Sequence, residues 1–421
     1  MTQPVLPQPL PWKRNLAAMG LAQAFSSMGI SFIYPFLPLL VFELDVREPR
    51  QVALWAGIAS GIAGVPMLFA GPIWGLLADR YGRKKNALRA LFGSAFAVTL
   101  QGLSLNIYHL VFARFLYGVL TGVHGSAQAL VASSSPRHRI TFGLGVLQAA
   151  WSMGNTIGPA MGAAAAALVG IRGAFVVAAV LLAAGGVFVL AVAREDFQPS
   201  SSTTHSPRRA LRDLAHQMTS RRILPLLPVL FLLSILPAMM LVALPLLLRQ
   251  LTGGSGAWAT GGAFSLLGLA AVLSSYLSGW LADRLGLVRI LVLGAAGLGI
   301  AFLPLAVVSS LPLILGALAI AGICQGALTT ATAGLVGHRA PREQHGAVFG
   351  SVQSIGFIGF TLGPLLGGVV ASVLGLRAVF LVQAVALLAT APLIVVILGR
   401  QRPLGPLAAG EPTTAKPEGL P

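Results

Sequence analysis

Charge is what this sequence has least of, and negative charge least of all. Only 9% of its 421 residues are Asp, Glu, Lys or Arg, and 11 are acids. A soluble domain is about a quarter charged, so a soluble globular chain is excluded. There is one cysteine, Cys324, so no disulfide forms within the chain. Set in an apolar run, that thiol reads as a buried, inert side chain. No G-x-x-x-x-G-K-[ST] run is present to cradle a nucleotide phosphate, which excludes drive by ATP through such a loop. No H-E-x-x-H or clustered ligand set points to a metal hydrolase, so neither metal nor cofactor is expected.

What remains is apolar: 56% hydrophobic, with a mean hydropathy of +0.84. Residues 15–42, 51–78, 140–171, 173–193, 223–248, 250–282, 344–376 and 378–399 contain no charged side chain. A helix crosses about 30 Å of hydrocarbon with about 20 residues, and each run meets that length. Two longer stretches, 90–136 (broken by Arg114) and 290–338, each predict two helices, with turns at SLNIYH and SSLP. The sum is twelve transmembrane helices and an all-α membrane protein. A β-barrel would need alternating segments of about ten residues, and there are none.

The net charge is +17, yet its distribution speaks against a nucleic-acid partner. With the N-terminus inside, the even-numbered connections and both tails hold 22 of the 28 Lys and Arg. The outer loops hold Arg47, Arg50, Arg172, Arg249 and Arg377. This positive-inside bias predicts a multi-pass protein of the cell (inner) membrane with both termini cytoplasmic. Lys13-Arg14 ahead of an apolar run resembles a signal peptide, but the run is too long for one and reads as an uncleaved first span.

The chain is duplicated. Residues 194–222 are polar and basic, and separate six helices from six. The expected organisation is a tail (1–14), a first bundle (15–193), a central loop (194–222), a second bundle (223–399) and a disordered tail (400–421). Asp79 pairs with Asp283 at a spacing of 204, and Gly158-Pro159 with Gly363-Pro364 at 205. Two parallel six-helix halves follow.

Three motifs carry chemistry. The first is the charged knot Gly75-Leu-Leu-Ala-Asp79-Arg80-Tyr-Gly82-Arg83-Lys84, repeated more thinly as Gly279, Asp283, Arg284 and Gly286, where Leu287-Val288 replace the basic pair. Glycine at 82 permits a tight turn, and an aspartate at a membrane boundary requires a cation or a helix N-terminus. The second is Gly154-x-x-x-Gly158-Pro159-x-x-Gly162 on the fifth helix, echoed by Gly359, Gly363, Pro364, Gly367 and Gly368 on the eleventh. Small residues four apart let helices approach closely, and the proline permits a bend. The third is Arg114 inside the fourth helix, where its duplicate is Ala319. An intramembrane arginine costs at least about 2.5 kcal/mol and is functional by default; the bland alternative is a side chain snorkelling outward.

These motifs resemble the major facilitator superfamily, and within it the twelve-helix drug:proton antiporters (multidrug efflux), over roughly 12–400. The resemblance implies the major facilitator fold and secondary-active, proton-coupled efflux of small amphipathic or hydrophobic compounds by alternating access. It implies that Asp79 bonds across the cytoplasmic seam to stabilise the outward-facing state, that the fifth-helix motif marks export, and that Arg114 serves proton transfer. A proton-linked importer on the same fold is the alternative; an enzyme or receptor has no feature that asks for it. The partners expected are a small-molecule substrate, protons and the lipid bilayer, around a monomer.

Polar residues at helical spacing mark a candidate path: Gln23, Ser27, Ser31 and Tyr34; Tyr117, Thr121 and Gln128; Gln148, Ser152 and Asn155; then Gln325, Gln353, Phe357 and Phe360. For each, interhelical bonding is as good a reading as ligand contact. His124 reads first as a satisfied buried histidine and second as a proton carrier. All eleven acids fall outside the middle of a span. Exporters of cationic drugs usually hold a membrane-embedded carboxylate, so this chain departs from that pattern; Glu43, at the outer end of the first helix, is the nearest candidate.

Overall fold

In a computed structural model the protein is all helix among the residues described, which are 12–195, 224–254, 256–339 and 345–398. The central loop beyond 195 and the C-terminal tail expected to be disordered lie outside them. The first span is α1 (Trp12–Ile33) continued through a 3-10 turn at Pro35 into α2 (Leu37–Glu43). The second is α3 (Pro49–Gly61) and α4 (Gly64–Tyr81), and the third is α5 (Arg83–Gly102). The fourth is α6 (Ile107–Leu120) and α7 (Val123–Ser134); the fifth and sixth are the two arms of α8 (Ile140–Val192). The second half runs α9 (Leu227–Ala238) with α10 (Met240–Thr252), then α11 (Ala257–Leu285), α12 (Leu287–Val307), α13 (Leu311–Arg339), α14 (His345–Leu374) and α15 (Leu376–Leu398).

The 53 residues of α8 do not form one rod. Gly170 has φ 76° and ψ 171°, which an L side chain rarely adopts. The chain reverses there: Gly154 and Leu182 both lie against residues 24–29 of α1. Among the described residues nine helices are long and apolar enough to cross a membrane, α8 counted once. Two more spans fall short for visible reasons: α5 opens with Arg83, Lys84 and Lys85, and the fourth span is broken at Gly122. Counting the second arm of α8, twelve spans are consistent with these helices.

The duplication is legible in the packing. Gly154, Gly158 and Gly162 pack on the first span, and a methyl at Gly158 would stand 2.9 Å from the Met28 carbonyl. Gly359, Gly363 and Gly367 pack in the same way on the seventh span, with Gly363 as close to the Ile235 carbonyl (2.8 Å). Likewise Gly118 abuts the Ala63 carbonyl, and Gly322 abuts the Leu267 carbonyl, each pair member 204 residues from its counterpart. Small-residue seams of this kind hold membrane helices together where water supplies no hydrophobic drive.

The two halves meet along the second and eleventh spans and along the fifth and eighth. A methyl at Gly57 would lie 2.8 Å from the Pro364 carbonyl, and one at Gly61 2.5 Å from that of Thr361. A methyl at Gly64 would overlap the Thr361 side chain, and one at Gly261 the Ala163 side chain. Toward the other end of the same four spans, methyls at Gly71, Gly75, Gly145, Gly279 and Gly356 would meet no atom within 4 Å. Among the described residues, the closest contacts between the halves therefore lie at the end away from Asp79 and Asp283.

Candidate transport pathway and gates

Both charged knots turn at a glycine. Gly82 has φ 108° and Gly286 φ 87°, and each closes one helix and opens the next. In the first knot the basic residues act within their own half. Arg83 Nη1 donates to the Ala129 carbonyl (3.4 Å), and Lys84 Nζ donates to the carbonyls of Leu190 (3.0 Å) and Ala193 (2.6 Å), the frayed end of the sixth span. Glu195, which sequence reasoning did not single out, accepts from the backbone N–H groups of Arg83 and Lys84, both at 2.8 Å. A carboxylate at a helix N-terminus is favourable both for the dipole and for the free donors.

Asp79 itself is 62% exposed and paired only one turn along, with Arg83 at 3.4 Å. Such a pair contributes about 0–1 kcal/mol. Arg80 lies over the Tyr81 ring (5.5 Å), and Arg284 over Trp280 (3.8 Å). The side chain of Asp283 lies outside the described residues. Gly75 and Gly279, one turn earlier, face open space.

Arg114 does not snorkel. It is 1% exposed, with Nε donating to the Ala59 carbonyl (2.8 Å) and Nη2 to the Ser60 carbonyl (3.1 Å). Those carbonyls belong to the last turn of α3, where intrahelical donors run out. The break follows from Pro66, whose missing N–H leaves the Ile62 carbonyl to a tighter bond from Val65 (3.3 Å). The guanidinium also lies 4.5 Å from the Tyr34 ring and 5.5 Å from that of Tyr117. Tyr34 stacks edge-on against Phe360 of the second half at 4.5 Å. The cation thus sits in an aromatic wall that spans both halves, and no carboxylate lies within ion-pair distance of it among the described residues.

Other path residues divide. Gln23 is wholly buried, and neither amide atom has a partner among the described residues. Ser27 and Ser31 are spent on helix bonding: Ser27 donates to the Ala24 carbonyl of its own helix (3.0 Å) and, more distantly, to Ala150 across the seam (3.5 Å), and Ser31 donates across it to Gly154 (3.0 Å). His124 Nε2 meets the Gln128 amide at 3.0 Å, its ring stands 5.3 Å from Trp151, and its Nδ1 is buried without a partner among the described residues. Gln148 and Ser152 are exposed on the open side, and Asn155 donates back to the Trp151 carbonyl (2.9 Å). Gln325 and Phe357 are half-buried; the side chain of Gln353 lies outside the described residues. Glu43 sits at the sealed end, 3.5 Å from Arg172, away from Arg114 and His124.

Pro159 and Pro364 lie inside helices that continue through them, so both motifs serve close packing before bending. Arg89, which reads in the sequence as part of the basic loop, lies inside α5 and reaches the fourth span.

Comparison with known proteins agrees with this geometry. The chain matches the family model of the Major Facilitator Superfamily over residues 19–305 and again over 259–419. It is 33% identical to multidrug resistance protein MdtG of Rahnella sp. (strain Y9602) over 387 residues, 91% of this chain and 93% of that one. It is 34% identical to MdtG of Yersinia enterocolitica over 386 residues, 91% and 92% of the two chains. Among solved structures, a bacterial homolog of the human lysosomal transporter Spinster superposes with a TM-score of 0.77 at 15% identity, covering 91% of this chain and 96% of that one. With the family model spanning both halves and relatives above 30% identity along nearly the whole length, the chain belongs to the major facilitator superfamily.

Proposed function

We propose that the protein is a proton-coupled exporter of small amphipathic or hydrophobic compounds, working by alternating access between bundles 15–193 and 223–399. The observation that carries this reading is the one-ended seal: glycine seams join the halves at one end, and the described glycines of the same spans toward the other end face open space. Such a pair of rigid halves rocks about a central site. The likeness to proteins named for multidrug resistance supports the export direction.

In this reading both termini are cytoplasmic and the end that carries Asp79 and Asp283 is the cytoplasmic one, so the conformation is inward-facing. Asp79 then waits on the open side for a partner that arrives when the cytoplasmic ends close, which agrees with its exposure and weak local pair. Asp283 and its thinner basic set form the second latch. Arg114, with His124 and Glu43 as further candidates, serves proton coupling. The substrate path runs past Gln23, whose unpartnered amide is available to a ligand, and past Tyr34, Tyr117 and Phe360. The protein acts as a monomer. Arg114 without a midspan carboxylate makes the centre neutral to positive, so neutral and anionic amphiphiles are favoured over permanent cations.

Inverted membrane vesicles test the direction. Energised vesicles should accumulate compound if this is an exporter, and expression in a host stripped of its own pumps should raise resistance. Accumulation in right-side-out vesicles instead would make it an importer.

A further inference from the structure

The fourth span is broken near the middle of its length, and the break is built rather than frayed. α6 ends at Leu120, Gly122 takes φ 131°, and α7 restarts at Val123. A helix broken within a span exposes carbonyls that hydrocarbon cannot satisfy. Here four in a row are satisfied. Trp74 Nε1 of α4 donates to the Val119 carbonyl (2.7 Å). Arg89 of α5 donates from Nη1 to Leu120 (2.7 Å) and from Nη2 to Thr121 (3.4 Å). Ser126 Oγ donates to Gly122 (3.1 Å). The Arg89 guanidinium lies 3.5 Å from the centre of the Trp74 ring, and its Nε donates to Asn86 Oδ1 (3.1 Å), whose amide holds Ser126 Oγ (2.8 Å).

The duplicate is a control. At the position matching Arg89 the second half has Leu293, 60% exposed, and its tenth span, α13, runs unbroken through the position matching Gly122. Arginine and break are present together or absent together.

We propose that Arg89 is a positioning residue for transport: stacked on Trp74 of the second span, it clamps the break in the fourth span and so ties the gate loop at Gly82 to the helix that carries Arg114. Arg89 sits two turns beyond that loop, on the helix the loop begins. A rigid movement of spans two and three therefore reaches the break through the Arg89 guanidinium, alongside the Trp74 and Asn86 bonds to the same span. This rests on the transport reading for its consequence, but the clamp itself is measurable without transport.

The test uses the full chain with Cys324→Ser and spin labels at His109→Cys and Ser133→Cys, two exposed positions flanking the break. An unbroken helix would hold them about 36 Å apart. Arg89→Ala should shift and broaden that distance distribution. Gly122→Ala, which forbids the left-handed backbone, should shift it too. Two membrane-buried hydrogen bonds bias a two-state element by about tenfold, so turnover should fall about that far, with KM moving less than kcat. Arg89→Lys, which keeps the charge but loses the planar fork, should recover only part of both. Trp74→Phe, keeping the ring and losing one donor, provides a milder variant should Arg89→Ala fail to fold. An unchanged distance distribution in Arg89→Lys and Trp74→Phe, with wild-type turnover, would overturn the proposal. A shifted distribution in a protein that moves no compound even as wild type would leave the clamp standing and remove the transport reading alone.

Discussion

The seal between the halves is the sharpest place to test alternating access, because it is made of glycines that admit no side chain. Gly64→Ala puts a methyl onto the Thr361 side chain, 2.7 Å from its Cβ, where Thr361 is 3% exposed and bonded to the Phe357 carbonyl (2.8 Å). Neither atom is the far end of a flexible chain, so the helices must part. Overpacking of this kind costs about 1–3 kcal/mol, and only the conformation with this end closed bears it. The ratio of closed to open should therefore fall by about 5- to 150-fold. If the state opening at this end is a minor one near 1%, it rises to between about 5% and about 60% of the population. Spin labels at Arg50→Cys and Val373→Cys, at the sealed ends of the second and eleventh spans in a Cys324→Ser background, read that opening as a new long-distance peak. Thr361→Gly in the same chain removes the obstructing side chain and should restore the short peak. An unchanged distribution in Gly64→Ala, or no restoration by Thr361→Gly, would refute the rigid-seal argument.

Asp79→Asn should lower transport at normal membrane insertion, since the cations that set topology remain; Asp283→Asn should do less, and equal losses at equal expression would reject the weaker second latch. Arg114→Ala removes two hydrogen bonds to the frayed turn of α3, each worth about 0.6–1.7 kcal/mol inside a membrane, and should lose proton-driven flux while Arg114→Lys regains part of it; wild-type flux in the alanine variant would reduce Arg114 to a bystander. Glu195→Gln keeps the shape but not the charge that caps α5, and should lower the unfolding temperature by about one degree or less, the scale of about 0.5 kcal/mol from a helix-end charge in a chain of this length. In vesicles given a matched pair of compounds, one neutral and one quaternary, the neutral one should be exported faster; a preference for the cation that disappears with Glu43→Gln would reverse the charge assignment.

The sequence legible at a glance was the sequence of the spans. Hydrocarbon thickness fixes helix length, so uncharged runs located the helices, and the positive-φ glycines at 82, 170 and 286 fall at the turns between them. The internal repeat was equally readable, because packing seams need glycine at fixed places and a duplication preserves them: Gly154 and Gly359 meet matching spans. What could not be read was which polar group faces which. Ser27 and Ser31 sit at path-like spacing, yet bond their own helix and its seam. Glu195 looked like part of the central loop that begins at Arg194, and its role depends on a contact with residues more than a hundred positions earlier. Arg89 looked like loop because four cations precede it within nine residues. The one available signal was its spacing: from Arg83 it lies nearly two helical turns in, too deep for the headgroup layer.

Arg89 and Arg114 share a logic that explains why this acid-poor membrane interior keeps two arginines. Each is fixed on one helix and bonds the open carbonyls where a neighbouring helix breaks: Arg114 the second span at Ala59 and Ser60, Arg89 the fourth span at Leu120 and Thr121. Each lies against aromatic rings, Tyr34 and Tyr117 in one case and Trp74 in the other. Carbonyl dipoles and ring faces together stabilise a cation without an acid. Arginine suits the task because its planar fork reaches two carbonyls at once, which an ammonium group meets less well. In the second half Leu318 and Leu293 stand at the positions 204 residues on, and the eighth and tenth spans run as unbroken helices of 29 residues each. The duplicated halves are therefore alike in their seams and unlike in their breaks. The arginine-clamped breaks belong to the first half; in the second half the seventh span is interrupted at Met239, next to Pro237, and the eighth and tenth run straight.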